Sequence, residues 1–190
     1  MIGKDWAYVC TCDGAIFRSD YKSKGKECPC RKIESEEHLA RWEKMLDGTY
    51  KTGEAVVRLK SGMDNPNPAL RDHVIMRISE KEHPRVGKKY RVWPLLEFSW
   101  GIDDHLIGST HILRGADLVK EDNVEEIIWN FFNWPHAHFL HYGKFRIEEG
   151  AGTISKSKSK SMIESGEFVG WDDPRTWSLQ SLGRRGIRPE

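Results

Sequence analysis

The 190-residue sequence has no apolar run near the ~20 residues that a bilayer-spanning helix needs, so a helical membrane protein is not expected. Its start, Met1-Ile2-Gly3-Lys4-Asp5-Trp6, lacks the apolar stretch of a secretory signal, and a cytoplasmic protein is expected. Net charge is almost absent, at +1, which argues against a protein that coats nucleic acid indiscriminately but leaves room for a local basic face. There is no G-x-x-x-x-G-K-S/T phosphate loop. No internal repeat occurs, and no cysteine follows residue 30. With 38% hydrophobic and 31% charged residues, the chain has the composition of a globular protein rather than a disordered one. Its length suits one ordinary domain, or a domain with a small module.

The four cysteines are concentrated at the start. Cys10 and Cys12 form a C-x-C pair, fifteen residues follow, and Cys28 and Cys30 form another. Four thiolates satisfy a tetrahedral structural zinc site and leave no open position for a catalytic water. The competing reading is a disulfide framework, with three pairings open, which suits a cytoplasmic chain poorly.

Periodicity and punctuation suggest the elements. Ala7-Tyr8-Val9 reads as a strand. Ser35 reads as a helix N-cap followed by Glu36 and Glu37, with Leu39, Trp42 and Leu46 at helical spacing and a stop near Gly48. Strands are expected at 54–60, 74–78, 90–93, 109–115 and 145–147. Helices are expected from Pro94 through Trp100, from Val124 to Trp134 ahead of Pro135, and from Pro174 to Leu182. Gly150 and Gly152 open a loop into Ser155-Lys156-Ser157-Lys158-Ser159-Lys160-Ser161. Strands alternating with helices point to an α/β domain with a mostly parallel sheet. Eight tryptophans are many for this length, and the cluster Trp129, Phe131, Phe132 and Trp134 reads as packing.

Several residues could carry chemistry. The Ser155-Lys156-Ser157 stretch could set an ammonium and hydroxyls beside a polyphosphate, although a Lys/Ser alternation is also an ordinary solvated loop. Arg184, Arg185 and Arg188 likewise read as solvated surface. Asp103 and Asp104 could hold a substrate amine or a metal, or could simply be solvated acids at a helix end. Arg114 closes an apolar strand, where a guanidinium needs a carboxylate. That carboxylate belongs either to a substrate or to a structural ion pair. His111 reads as a hydrogen-bonded core residue.

Residues 65–78 (NPNPALRDHVIMRI), 83–115 (HPRVGKKYRVWPLLEFSWGIDDHLIGSTHILRG) and 154–186 (ISKSKSKSMIESGEFVGWDDPRTWSLQSLGRRG) resemble the archaeal and eukaryotic branch of the glutamyl-tRNA synthetases, within class I of the aminoacyl-tRNA synthetases. The resemblance covers nearly the whole chain and includes a zinc insertion matching the cysteine pairs. It implies an α/β fold: part of a Rossmann-type class I catalytic domain with a small zinc-binding insertion. Residues 1–33 would be the zinc module, 34–118 the remainder of the insertion and the return to the core, and 119–190 the second half of the catalytic domain. The implied reaction activates glutamate with ATP, as its Mg2+ complex, and esterifies the 3′ end of tRNA. A structural Zn2+ is implied, with no membrane or DNA partner.

By position, Ile154-Ser155-Lys156-Ser157 resembles the end of the KMSKS loop, with Lys156 catalytic and Ser155, Lys156 and Asp117 near ATP. Thr153 falls where the motif's first lysine stands, and Lys158 is the nearest substitute. Glu97, Asp103, Asp104 and Arg114 fall on the amino-acid pocket, and Arg114 matches the arginine that distinguishes the glutamyl branch from the glutaminyl one. Leu96 replaces a substrate-binding tyrosine. No H-x-G-H is present, so the resemblance implies a fragment without the HIGH half and inactive alone. Two alternatives stand beside it: a glutaminyl-tRNA synthetase fragment, and a non-catalytic zinc- and RNA-binding paralogue.

Overall fold

Strand β1 (Ala7–Cys10) is buried at every position, so it must be covered on both faces. One face, Ala7 and Val9, joins a core with Met45, Val57, Leu59, Ile75 and Ile128, and the other, Tyr8 and Cys10, packs on Phe17, Cys28 and Met63. The computed structural model describes residues 1–143 and 155–188 of a chain that divides into two compact units, Met1–Gly143 and Lys144–Glu190. The expected strand at 145–147 lies outside the described residues.

In the first unit β1 pairs with β2 (Val56–Leu59), β2 with β3 (Val74–Ile78) and β3 with β4 (Val92–Pro94), all antiparallel. The expectation of a mostly parallel sheet is corrected here. Parallel neighbours need a crossover back across the sheet, but the segment between β2 and β3 is the Pro- and Asn-rich turn region, which carries only a single 3-10 turn, Pro68–Leu70. Pro94 ends edge strand β4, where no N–H is required, instead of opening the next helix.

A short turn of helix, α1 (Gly14–Ile16), is capped by Asp13, whose carboxylate accepts from the N–H groups of Ala15 and Ile16. Helix α2 (Ser35–Asp47) ends at Gly48, whose φ of +94° only glycine takes easily. Ser35 lies inside the helix and Glu34 takes the extended N-cap conformation, so the expected serine cap is absent. The buried face is also rotated by one residue. His38 and Met45 are buried, whereas Leu39 and Leu46 are 45% and 43% exposed. The sheet decides this, because His38 Nδ1 accepts the backbone N–H of Val9 at 3.3 Å.

Helix α3 (Leu96–Ile107) lies against α4 (Val119–Phe132), and Gly101 is a point of close approach. Trp129 donates its indole N–H to the Gly101 carbonyl at 2.7 Å. Helix α4 connects β5 (His111–Gly115) to β6 (His138–Tyr142), and these two strands are parallel. This β5–α4–β6 unit is where the strand–helix alternation does produce a parallel pair. Its outer face is uncovered: Leu113, Leu140 and Tyr142 are 70%, 51% and 58% exposed. His111 lies on that face, bonded to Thr110 Oγ1, and not in the core. The aromatic cluster does pack, with Trp6 stacked on Phe131 and Phe132 stacked on Trp134.

In the second unit the expected Ser/Lys loop is instead a helix, α5 (Lys156–Glu164). Ser155 is its N-cap, accepting the N–H of Lys158, and this local bond favours a helix start over a loop. Helix α6 (Leu179–Arg184) begins later than expected, because Ser178 caps it by accepting from Ser181 N–H at 3.0 Å. Among the described residues no helix is long and apolar enough to cross a membrane.

The α3–α4 contact makes a two-sided prediction. A Cβ added at Gly101 would meet the Glu125 and Ile128 side chains at ordinary distances of 3.4 and 3.5 Å. Gly101→Ala should therefore hold or raise the melting temperature, since alanine gains about 1 kcal/mol of helix propensity. Gly101→Leu should lower it by several degrees by forcing the helices apart. Thermal denaturation of both variants measures this.

Candidate functional site

The first cluster is built by β1 and the turns around it. Cys10 ends β1 and Cys12 follows it, while Cys28 precedes and Cys30 lies within a 3-10 turn, Pro29–Lys32. The four sulfurs all lie within 4.8 Å of one another, and Cys12 Sγ and Cys30 Sγ are 3.7 Å apart. A zinc–sulfur bond of about 2.3 Å gives a tetrahedron edge of about 3.8 Å, so the four thiols fit a closed metal site. All four cysteines are free. Within the cluster Cys30 is favoured as the anion, chiefly because Cys10 hydrogen-bonds to it. Tyr8 Oη and Thr11 Oγ1 lie 3.6 Å from Cys28 and Cys30 Sγ, and Arg41 Nη1 donates to Cys30 Sγ over the same distance.

The second cluster forms where β5, β6, α3 and α4 meet. Arg114 Nη1 donates to Asp122 Oδ1 at 2.8 Å and to Glu125 Oε1 at 2.5 Å, and Nη2 donates to Asp104 Oδ2 at 3.1 Å. The guanidinium also lies over the rings of Trp100 and Phe139. His141 Nε2 bonds to the remaining oxygen of Asp122. Thus Arg114 meets carboxylates of its own chain, as in the ion-pair reading. Asp104 is the accessible acid of the three, with 22% side-chain exposure against 6% for Asp122 and 0% for Glu125. One guanidinium among three acids leaves an excess of negative charge. Burial pushes the Glu125 carboxyl up to about 7, with Asp104 and Asp122 adding to the rise against the pull of Arg114.

Glu97, in the first turn of α3, is buried and engaged. His73 Nε2 is 3.2 Å away and Lys120 Nζ 2.6 Å away, and together they draw its carboxyl down to about 2, His73 contributing most. Asp103 faces solvent on α3. Asp117 is exposed in the turn after β5, with its carboxylate folded over Gly115, where a Cβ would lie only 2.6 Å from Oδ1. In the second unit Lys156 is exposed in the first turn of α5, beside the Ser155 cap. Ile154 and Thr153 lie outside the described residues.

Sequence reasoning missed Asp122, Glu125 and His141. Asp122 and Glu125 share a helix face with Trp129, and two acids on an otherwise apolar stripe were the available signal. It also missed Arg41, which sits far in sequence from the sulfur it reaches.

The Glu125 shift carries a pH prediction. Between the ordinary 4.5 and about 7, the folded chain keeps a proton that the unfolded chain has lost, so this group makes stability fall as pH rises through that window. In Glu125→Gln that fall should be absent. Melting temperature followed against pH for both proteins checks it, and parallel curves would mean that Glu125 holds no such proton.

Comparison with known proteins places this geometry in context. The family described as tRNA synthetases class I (E and Q), catalytic domain, matches residues 1–190. The glutamate–tRNA ligase of Pyrococcus horikoshii is 47% identical over 185 residues, which cover 97% of this chain and 32% of that protein. That of Methanopyrus kandleri is 43% identical over 190 residues, covering 100% of this chain and 33% of that protein. The chain thus spans about a third of the length of these curated relatives. Among solved structures, a glutamate tRNA ligase from Elizabethkingia meningosepticum, in complex with its amino acid, matches with a TM-score of 0.52 at 20% identity, over 84% of this chain and 34% of that one, which is a likeness of fold. Matched along its whole length, the chain belongs to the catalytic domain of the class I tRNA synthetases of the E and Q group.

Proposed function

We propose that this chain is part of a cytoplasmic glutamate–tRNA ligase, which activates glutamate with ATP and transfers it to the 3′ end of tRNA. The observation that carries this is the 43% to 47% identity to glutamate–tRNA ligases across the chain. Neither the glutaminyl reading nor the non-catalytic paralogue gains support from any observation. In this reading residues 1–33 are a zinc module, 34–118 the rest of an insertion and the return to the core, and 119–190 the second half of a Rossmann-type domain. The β5–α4–β6 unit straddles the 118/119 boundary, so that β5 supports the return to the core and α4 and β6 the start of the last segment.

Catalysis in such a ligase is mostly positioning and electrostatic stabilisation. Lys156 is the catalytic cation: an exposed ammonium at a helix N-terminus suits a phosphate group from which pyrophosphate leaves. Ser155 holds that helix start, and Asp117 faces the ATP ribose. Arg114 and Asp104 receive the amino acid. The acid excess around Arg114 suits the substrate ammonium at the accessible edge, Asp104, with Asp103 on the same helix. A proton held on Glu125 frees guanidinium charge for the substrate carboxylate. Glu97, at the start of the same helix as Asp104, lines the amino-acid pocket and is held by Lys120 and His73. The uncovered face of β5 and β6, on the side away from Arg114, supports packing of further polypeptide against these strands in a full-length ligase, since parallel strands are normally covered on both faces.

The four cysteines are assigned a structural Zn2+, which would crosslink β1 to the turn at 29–32 and contribute no open coordination position. Metal analysis of the purified chain should find one zinc per molecule, and chelation should lower its melting temperature. A metal-free chain of unchanged stability would remove this assignment.

The purified chain should show no appreciable glutamate-dependent pyrophosphate exchange. In a full-length ligase carrying this segment, Arg114→Gln combined with Glu125→Gln, so that the most buried acid is not left unpaired and Asp122 keeps His141, should cut kcat/KM for glutamate roughly 10- to 100-fold, the equivalent of about 1.5–3 kcal/mol for a hydrogen bond to a charged group. Unchanged glutamate kinetics would refute the role of Arg114.

A further inference from the structure

Four thiolates around one Zn2+ carry a net charge of −2, and here that charge would sit in a nearly dry setting. Cys28, Cys10 and Cys30 are 0%, 1% and 6% exposed. Buried charge of that size needs a counter-charge or hydrogen-bond donors aimed at the sulfurs. The described residues aim one cation at a sulfur. Arg41, on α2, donates from Nη1 to Cys30 Sγ at 3.6 Å. Its other nitrogens are spoken for: Nε and Nη2 both bond to Glu37 Oε1, at 3.1 and 2.7 Å, one helical turn earlier. Glu37 therefore fixes the guanidinium plane and turns its remaining edge to the sulfur. Thr11 Oγ1 lies 3.6 Å from the same sulfur. Arg58 is near enough for its charge to favour the Cys10 thiolate, but it is stacked on Phe17, bonds through Nη1 to the Asp72 carbonyl and donates to none of the sulfurs.

We propose that Arg41, held by Glu37, is a positioning residue of the four-cysteine metal site, orienting and charge-compensating the Cys30 thiolate from outside the metal-binding segment. This rests on the reading that the cysteines hold Zn2+. A metal-bound thiolate is a stronger acceptor than a thiol, so the Arg41 contact strengthens when metal binds. The guanidinium thereby contributes to affinity and not only to folding. Arg41 also links the cysteine segment to α2, since the cation comes from a helix that begins after the last cysteine.

The test is Zn2+ affinity of the purified chain, measured by competition with a chromogenic chelator, for the wild type, Arg41→Met, Arg41→Lys and Glu37→Gln. Arg41→Met should weaken Zn2+ binding about 10- to 100-fold, the range for loss of an outer-shell partner. Arg41→Lys should recover part of that, and Glu37→Gln should show a smaller loss. With Co2+ as probe, the sulfur-to-metal charge-transfer band of Arg41→Met should move to lower energy, because its thiolate has lost a hydrogen-bond donor. A purely structural arginine would not move that band. Wild-type affinity and an unshifted band in Arg41→Met would overturn the proposal while leaving the zinc assignment standing. A wild-type chain that binds no Zn2+ would overturn both.

Discussion

A guanidinium cannot shed its charge, so Arg114, 8% exposed at the end of β5, obliges its neighbours to supply acid. Asp104 comes from α3, Asp122 and Glu125 from α4, and Asp122 passes the contact on to His141 of β6. Trp100 and Phe139 cover the flat faces of the cation. Four elements are thereby registered against one charge. Breaking a buried pair of this kind costs about 3–5 kcal/mol, a large part of the roughly 5–15 kcal/mol that holds an ordinary domain folded. The close approach of α3 and α4 at Gly101 serves the same end, since a side chain longer than alanine there would press on Glu125.

The charge at the end of an apolar strand was legible in the sequence, because burying it without an acid is unfavourable. Its partners were not. Asp122 and Glu125 sit among lysine and other acids in residues 119–126, and only the helix face separates them from solvated neighbours. The same limit explains α2. Leu39, Trp42 and Leu46 make a plausible stripe, but a stripe displaced by one residue, through His38 and Met45, fits as well. The choice was made by β1, through the Val9 N–H that His38 accepts. Strand positions were mostly legible and their direction was not, because antiparallel pairing of β1 to β4 depends on which strands meet, not on what lies between them.

The Ser/Lys stretch shows how a local bond can override composition. Alternating lysine and serine looks like a solvated loop, and each side chain is indeed largely exposed, apart from Ser159. Yet Ser155 caps the N–H of Lys158 and Lys160 pairs with Glu164 one turn on, at 3.5 Å. Those two interactions need only helical spacing, and they turn a basic segment into a basic helix whose N-terminus and first ammonium face solvent together.

The cysteine spacing disclosed the donor atoms but not what ties them to the rest of the fold. Beyond the pairing of β1 and the reach of Arg41, one tie is two consecutive residues. Asp72, wholly buried with a φ of +37°, accepts from Tyr8 Oη and Arg31 Nε, both at 2.9 Å, on the cysteine side. Its carbonyl accepts from Arg58 as well. Such a backbone angle is unfavourable for a non-glycine residue by about 1–3 kcal/mol, and it persists only where surrounding contacts over-determine it. His73, the next residue, faces the other way, towards Glu97 at the start of α3, and Glu97 holds Lys120 of α4. A single backbone step therefore joins the thiol cluster to the helix pair that carries Asp104 and Glu125. Because both side chains of that step are engaged by charged partners, Arg31 on one side and Glu97 on the other, neither can shift without disturbing the other.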